Sequence, residues 1–204
     1  MTVKNFLLAL EEQRWDDHRY YHHSRINQSL HLLSATTFVL AYCLLFTDPA
    51  LAAVLAWGIA MTSRQAGHFF FEPKGYDHVN QATHEHKEEI KVGYNLRRKV
   101  WLMSLWAASP VLLWIAPGWF GLFPPASTST EFVQQLGWCW LALGAGGLLF
   151  RATQLLMQQN LRTAVVWVSK ILSDPFHDIK LYHMAPLYLL RGELFDPAPH
   201  RRTS

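Results

Sequence analysis

The chain is poor in cysteine: Cys43 and Cys139 are its two thiols, both inside apolar runs and in no CxxC pattern. That argues against a thiolate metal site or a disulfide scaffold and reads both as small buried apolar residues. Basic residues are missing from long stretches, since none of the 18 Lys and Arg falls between Arg25 and Arg64 or between Lys99 and Arg151. There is no nucleotide-binding glycine motif and no basic stripe interleaved with aromatics, so the net charge of +3 does not point to nucleic acid. The opening Met1–Asn5 leads into an amphipathic stretch rich in Glu and Asp, with no short apolar segment before a small-residue cleavage site, and no signal peptide is expected. Neither an internal repeat nor a separating linker breaks the chain, so a single domain over residues 1–204 is expected.

Apolar surface is plentiful, with half the residues hydrophobic, 9 Trp and 12 Phe. A mean hydropathy of +0.04 hides strong segregation into runs at 30–46, 50–63, 100–123 and 135–157. Crossing a bilayer takes about 20 helical residues at about 1.5 Å each. The second run reaches that length as 50–71 if Arg64 snorkels or pairs at the inner surface. Pro110 and Pro117 mark a kink and an end in the third, and Gly144, Gly146 and Gly147 give the fourth a small-residue surface for close helix packing. The expected fold is all-α: a polytopic membrane protein of four transmembrane helices with cytoplasmic His-rich segments. Residues 161–172 are expected to lie along the inner surface as an amphipathic interfacial helix.

Charge gives the orientation. Four cations precede the first span, seven lie between the second and third, and seven follow from Arg151 onward. By the positive-inside rule both termini and the middle connection are cytoplasmic, and a multi-pass protein of a bacterial inner membrane is expected.

All 11 histidines lie in these cytoplasmic segments or within about a turn of the inner surface. Around the start of the first span the chain reads His22-His23-Ser24-Arg25-Ile26-Asn27, with His31 four residues further on. On a continuous helix His23, Asn27 and His31 share a face, and Asn27 could fix an imidazole tautomer; His22 would point elsewhere unless the helix begins after it. At the end of the second span Arg64, His68 and Glu72 share a face, an ionisable triplet that is costly in a membrane unless it faces the bundle interior. The middle connection adds His78, His84 and His86, and the C-terminal part adds His177 and His183 in a segment that could cap the site, with Tyr182 and Tyr188 as polar handles. His200 is expected to play no part. Several imidazoles without thiolates suit iron, zinc or copper, and three or four with open positions suit a non-haem Fe(II) that binds substrate and O₂.

These residues resemble the 2-hydroxy fatty acid dioxygenase family, small polytopic membrane proteins of phytosphingosine degradation, of which the chain looks like a divergent member. Tyr21, His22, Asn27 and His31 match its first signature, and Gly67, His68, Phe71 and Glu72, preceded by Gln65, match its second. After the second motif the family continues with a basic residue and Pro-Ala, whereas this chain reads Pro73-Lys74-Gly75. The resemblance implies Fe(II)-dependent cleavage of a long-chain 2-hydroxy fatty acid to the acid one carbon shorter, with the fatty acid, O₂ and the membrane as partners. It implies His22, His31 and His68 as core ligands, His84 or His86 completing the set, Asn27 and Glu72 orienting imidazoles, and Arg64 meeting the substrate carboxylate. The choice between His22 and His23 stays open, family alignment selecting the first and helix geometry the second. Two other classes compete. His18, His22 and His23 have the HxxxHH form of a di-iron hydroxylase or desaturase box, and a non-enzymatic metal-handling or scaffold membrane protein would also carry surface histidines.

Overall fold

Most helices of this chain open on a short polar side chain that accepts a hydrogen bond from an amide in their own first turn. Thr2 caps α1 (Val3–Tyr21), Ser24 caps α2 (Arg25–Leu44), and Asp48, followed by Pro49 in the first turn, caps α3 (Pro49–Leu55). Thr83 caps the short α5 (His84–Ile90), Asn95 caps α6 (Leu96–Ile115), Thr128 caps α7 (Ser129–Gln158) and Asn160 caps α8 (Leu161–Tyr182). Between α3 and α4 (Thr62–Phe70) no cap is needed, because a π segment, Ala56–Met61, carries the helix through without a break. A last short helix, α9, spans Ala185–Leu190. This computed structural model describes residues 2–72, 74–78, 80–119 and 121–196, among which all regular structure is helical and extended pairing is limited to the bridges Ser24–Phe195 and Asp77–Ala82. His200 lies outside the described residues.

The four apolar runs become α2, the α3–α4 helix, α6 and α7, and of these α7 alone is by itself long and apolar enough to cross a membrane. The others are shorter or polar at one end: α2 opens on Arg25 and buries Asn27, Gln28 and His31, the α3–α4 helix carries Arg64, and α6 opens with Arg97, Arg98 and Lys99. The expected interfacial helix at 161–172 is only the first half of α8, which continues through Pro175 to Tyr182 and packs on α1, α2 and α7.

The apolar core sits where α3, α6 and α7 meet, built on Trp57, Leu113, Leu136 and Trp140. Its closest backbone approach is at Gly137, where a Cβ would stand 2.4 Å from the carbonyl oxygen of Ala50. Of the glycines expected to make the packing surface, Gly144 meets Trp57 and the Gly147 carbonyl accepts from Tyr94, while Gly146 faces open space. Pro110 cannot donate to the Trp106 carbonyl one turn back. Ser109 Oγ takes over that acceptor at 2.6 Å and in turn accepts Trp140 Nε1–H at 2.7 Å, so the proline is compensated by a bond that ties α6 to α7.

At the opposite end, the segment after α9 clasps the start of α2. Arg25 reaches both carboxylate oxygens of Asp196 at 3.1 and 3.2 Å, and Gln28 donates to the same group at 2.9 Å. The Asp196 amide donates to the His23 carbonyl, and the Arg25 amide to that of Leu194. The middle connection docks beside it through Lys87, fully buried against Tyr20 and Tyr21 at the end of α1.

Candidate metal centre

The centre begins with a break. Two side chains from the first turn of α2 take the carbonyls that end α1: Asn27 Nδ2 donates to Tyr21 O at 2.9 Å, and Gln28 Nε2 to His22 O at 2.8 Å. Helix α1 therefore ends at Tyr21, and α2 begins afresh after the Ser24 cap. With the two helices uncoupled, His22 turns inward to 4% exposure while His23 turns back and bonds the Arg19 carbonyl. The continuous helix that would put His23, Asn27 and His31 on one face does not form, and the condition under which His22 could point inward, a helix starting after it, is met. His31 follows on the buried face of α2, and His68 comes from the last turn of α4. The two helices can approach because residue 67 is glycine: a Cβ there would lie 2.0 Å from Asn27 Oδ1.

His22, His31 and His68 converge, with ring centroids 4.1, 5.3 and 4.9 Å apart and one candidate ligand nitrogen from each within 4.8 Å of the others. Hydrogen bonds at two of them fix which nitrogen faces the centre. His68 Nδ1 donates to Glu72 Oε2 at 2.7 Å, whereas His31 Nδ1 makes no hydrogen bond and has Asp178 Oδ2 3.5 Å away. His22 Nδ1 meets Tyr182 Oη at 2.9 Å, and the same hydroxyl lies 3.1 Å from His18 Nδ1. A phenol has one hydrogen, so Tyr182 donates to one imidazole at most, and with His22 Nδ1–H donating to Tyr182 and Tyr182 O–H donating to His18 the His22 Nε2 is left unprotonated. His22 and His68 then have an Nε2 lone pair free for a ligand, and His31 has an unpartnered nitrogen beside them. His22 Nε2 and both ring nitrogens of His31 are buried with no hydrogen-bond partner. Three neutral imidazoles, two of them with the second nitrogen held by a carboxylate or a phenol, are the donor set of a borderline divalent transition metal such as Fe(II) or Zn(II).

Electrostatics favour the neutral, ligating form. Burial, reinforced by the neighbouring His31, holds the His22 imidazole well below the usual histidine range. Burial also raises the Tyr182 phenol well above its ordinary value, so it stays a neutral donor. The wall behind the cluster comes from α8, where Lys170, Asp174, Asp178 and Tyr182 follow one another every four residues and are all buried. Lys170 lies 2.7 Å from Asp174 and also pairs with Asp17 of α1, and Arg64 donates to Asp178 at 3.1 Å.

A cavity of about 520 Å³ opens beside the cluster, reaching from His22 and His68 to Trp57, Trp140 and Gly144, and its walls are mainly apolar. Gln65 and Lys99 are among its polar lining, and Gln65 Oε1 is buried without a partner.

Of the candidate residues from the sequence, the fold brings together His22, His31 and His68, with Glu72 on one imidazole and Arg64 on the Asp178 that faces another. Asn27 holds the end of α1 instead of an imidazole. His23 is turned away, half-buried His84 and exposed His86 sit on α5 outside the cluster, and His78 and His183 are exposed. Sequence reasoning missed the imidazole-holding role of Tyr182 and the whole α8 stripe. Its four-residue spacing was the available signal, but in an amphipathic segment such spacing reads first as a solvated face.

Fold and site together define an all-helical protein with a buried three-imidazole centre opening on an apolar cavity. Comparisons with protein-family models, with curated proteins and with solved structures find no match.

Proposed function

We propose that the protein is a membrane-embedded, Fe(II)-dependent dioxygenase that converts a long-chain 2-hydroxy fatty acid to the acid one carbon shorter. The observation that carries this reading is the convergence of three bare imidazole nitrogens at the mouth of an apolar cavity. The overall reaction, RCH(OH)COOH + O₂ → RCOOH + CO₂ + H₂O, balances without an external reductant, in keeping with a chain that has no nucleotide-binding motif. His22, His31 and His68 would hold the metal, and Fe(II) bound there would supply the redox chemistry that lets O₂ react with the hydroxy acid. Glu72 and Tyr182 keep two imidazoles in the ligating tautomer, and the apolar walls receive the acyl tail and keep water from the reacting end.

Membrane embedding in this reading uses four spans, within α2, the α3–α4 helix, α6 from residue 100 onward, and α7, with both termini and the middle connection on the cytoplasmic side of a bacterial inner membrane. Support comes from the charge asymmetry and from outward apolar side chains such as Leu40 on α2, Trp101, Leu105 and Trp114 on α6, and Leu149 and Phe150 on α7. The di-iron alternative is disfavoured because its single box is scattered: of His18, His22 and His23, only His22 belongs to the cluster.

The test is turnover of a carboxyl-¹³C-labelled 2-hydroxy fatty acid by the purified, iron-loaded protein. The expected result is O₂ uptake with the label leaving as CO₂ and about one iron per chain. Label retained in a chain that has gained a hydroxyl or a double bond would overturn the reading in favour of a hydroxylase or desaturase. Tight iron binding without turnover of any lipid would favour a metal-handling protein.

A further inference from the structure

Four cations line the cavity: Arg64, Lys91, Lys99 and Lys170. Three are occupied. Arg64 is paired with Asp178, Lys170 is held between Asp17 and Asp174, and Lys91 pairs with Glu88 at 3.4 Å while lying 3.5 Å over the Tyr21 ring. Lys99 alone meets no carboxylate among the described residues, although it stands on the first turn of α6, ahead of the apolar run, and is half-buried toward the cavity. An ammonium so placed lacks both full hydration and a counter-ion, which is costly unless a ligand supplies the anion. Burial, followed by the repulsion of Lys91, pulls its titration down to about 7 against the opposing attraction of Glu72, Glu88 and Asp17.

We propose that Lys99, and not Arg64, receives the carboxylate of a long-chain acyl acid whose tail lies along the cavity toward Trp57 and Trp140. This rests on the reading of the same cavity as a lipid-acid site and names the residue that selects the acid. Lys99 stands toward the metal-centre end of the cavity: the Leu96 amide in its own helical turn donates to Glu88, Glu88 pairs with Lys91, and Lys91 lies over the ring of Tyr21, the residue before His22. The opposite end, around Trp57, Trp140 and Gly144, offers only apolar contacts and an indole N–H. A ligand with one anionic and one hydrocarbon end therefore has one favourable orientation, and a neutral lipid of equal length gains nothing at Lys99. Arg64 is unsuited to this role because withdrawing it would take from Asp178, with a 7% exposed side chain, the guanidinium that pairs with it.

The experiment measures binding of hexadecanoate and of hexadecanol, both non-hydroxylated, to the full chain in detergent, metal-free and iron-loaded, by displacement of a fluorescent fatty acid. Lys99→Met and Lys99→Gln are expected to weaken hexadecanoate about 10- to 100-fold, the range for loss of a charge-assisted bond. Hexadecanol binding and iron content should stay as in the wild type, and Lys99→Arg should retain most of the acid affinity. Lys180→Met, at an exposed lysine, should bind as the wild type. Unchanged hexadecanoate binding in the Lys99 variants, or equal loss of acid and alcohol, would overturn the inference. Acid binding that depends on Lys99, with iron bound but no O₂ uptake on 2-hydroxyhexadecanoate, would keep it and overturn the dioxygenase reading. Turnover indifferent to Lys99→Met would overturn the inference alone.

Discussion

At the scale of single residues, the ligand set turns on one pair of adjacent histidines. His22 faces the cluster and His23 the Arg19 carbonyl. His22→Ala is therefore expected to lose bound iron, as are His31→Ala and His68→Ala, while His23→Ala keeps it; metal analysis of the purified variants checks this, and iron retained in His22→Ala would refute the assignment. Tyr182→Phe leaves the ring in place but removes the oxygen that accepts His22 Nδ1–H. Iron affinity should fall about 10- to 100-fold with the fold intact, measured by competition with a chelator of known affinity. Much of this was legible in the sequence: His31, His68 and Glu72 stand at helical spacings and in the family motifs. The choice between His22 and His23 was not, because it depends on Asn27 and Gln28 reaching back to end α1, a contact between two helices that a single-helix periodicity cannot contain.

At the scale of elements, two contacts hold the site's walls. The α2–α4 approach requires Gly67, and Gly67→Ala would push a methyl into Asn27, the residue that ends α1. A loss of at least about 2 kcal/mol is expected from overpacking, seen as a lower unfolding temperature together with reduced iron content. The α1–α8 contact is ionic. Burial raises the Asp17 carboxyl, but Lys170 outweighs it and brings the group from its ordinary 3.8 down to about 2. A carboxyl lowered on folding contributes stability that is present above its unfolded value and lost as pH falls through the folded one, here from about 4 to about 2. Since the Asp17 side chain keeps 35% exposure, the contribution is discounted to about 1 kcal/mol. Asp17→Asn should flatten the acid limb of an unfolding-temperature profile, and an unchanged limb would show that the pair contributes nothing. The length and burial of α8 escaped the sequence because Lys170, Asp174 and Asp178 are polar, and only their pairing partners, on other elements or within the stripe itself, offset the cost of burying them.

At the scale of the whole molecule, helical class and the four apolar helices could be read from hydropathy alone, since such runs have few other solutions. What hydropathy hid was where apolar helices become polar at their inner ends, and it is there that the site is built. In the proposed four-span reading the charges set the sidedness. On a background with Cys43 and Cys139 replaced by Ala, single cysteines at exposed Ser127 and Glu89 should label from opposite sides of the membrane. Labelling of both from one side would remove the four-span topology.

The clasp of Asp196 on Arg25 joins residues 171 positions apart, and it closes over the backbone of His23, next to the first ligand. On a growing chain, His31 and His68 can meet long before that clasp exists, while His22, its backbone already held by Gln28, still lacks the Tyr182 hydroxyl on its ring and the clasp beside it. Two imidazoles hold a metal far less firmly than three, so the proposed metal site would be complete only once α8 and the distal segment have been synthesised.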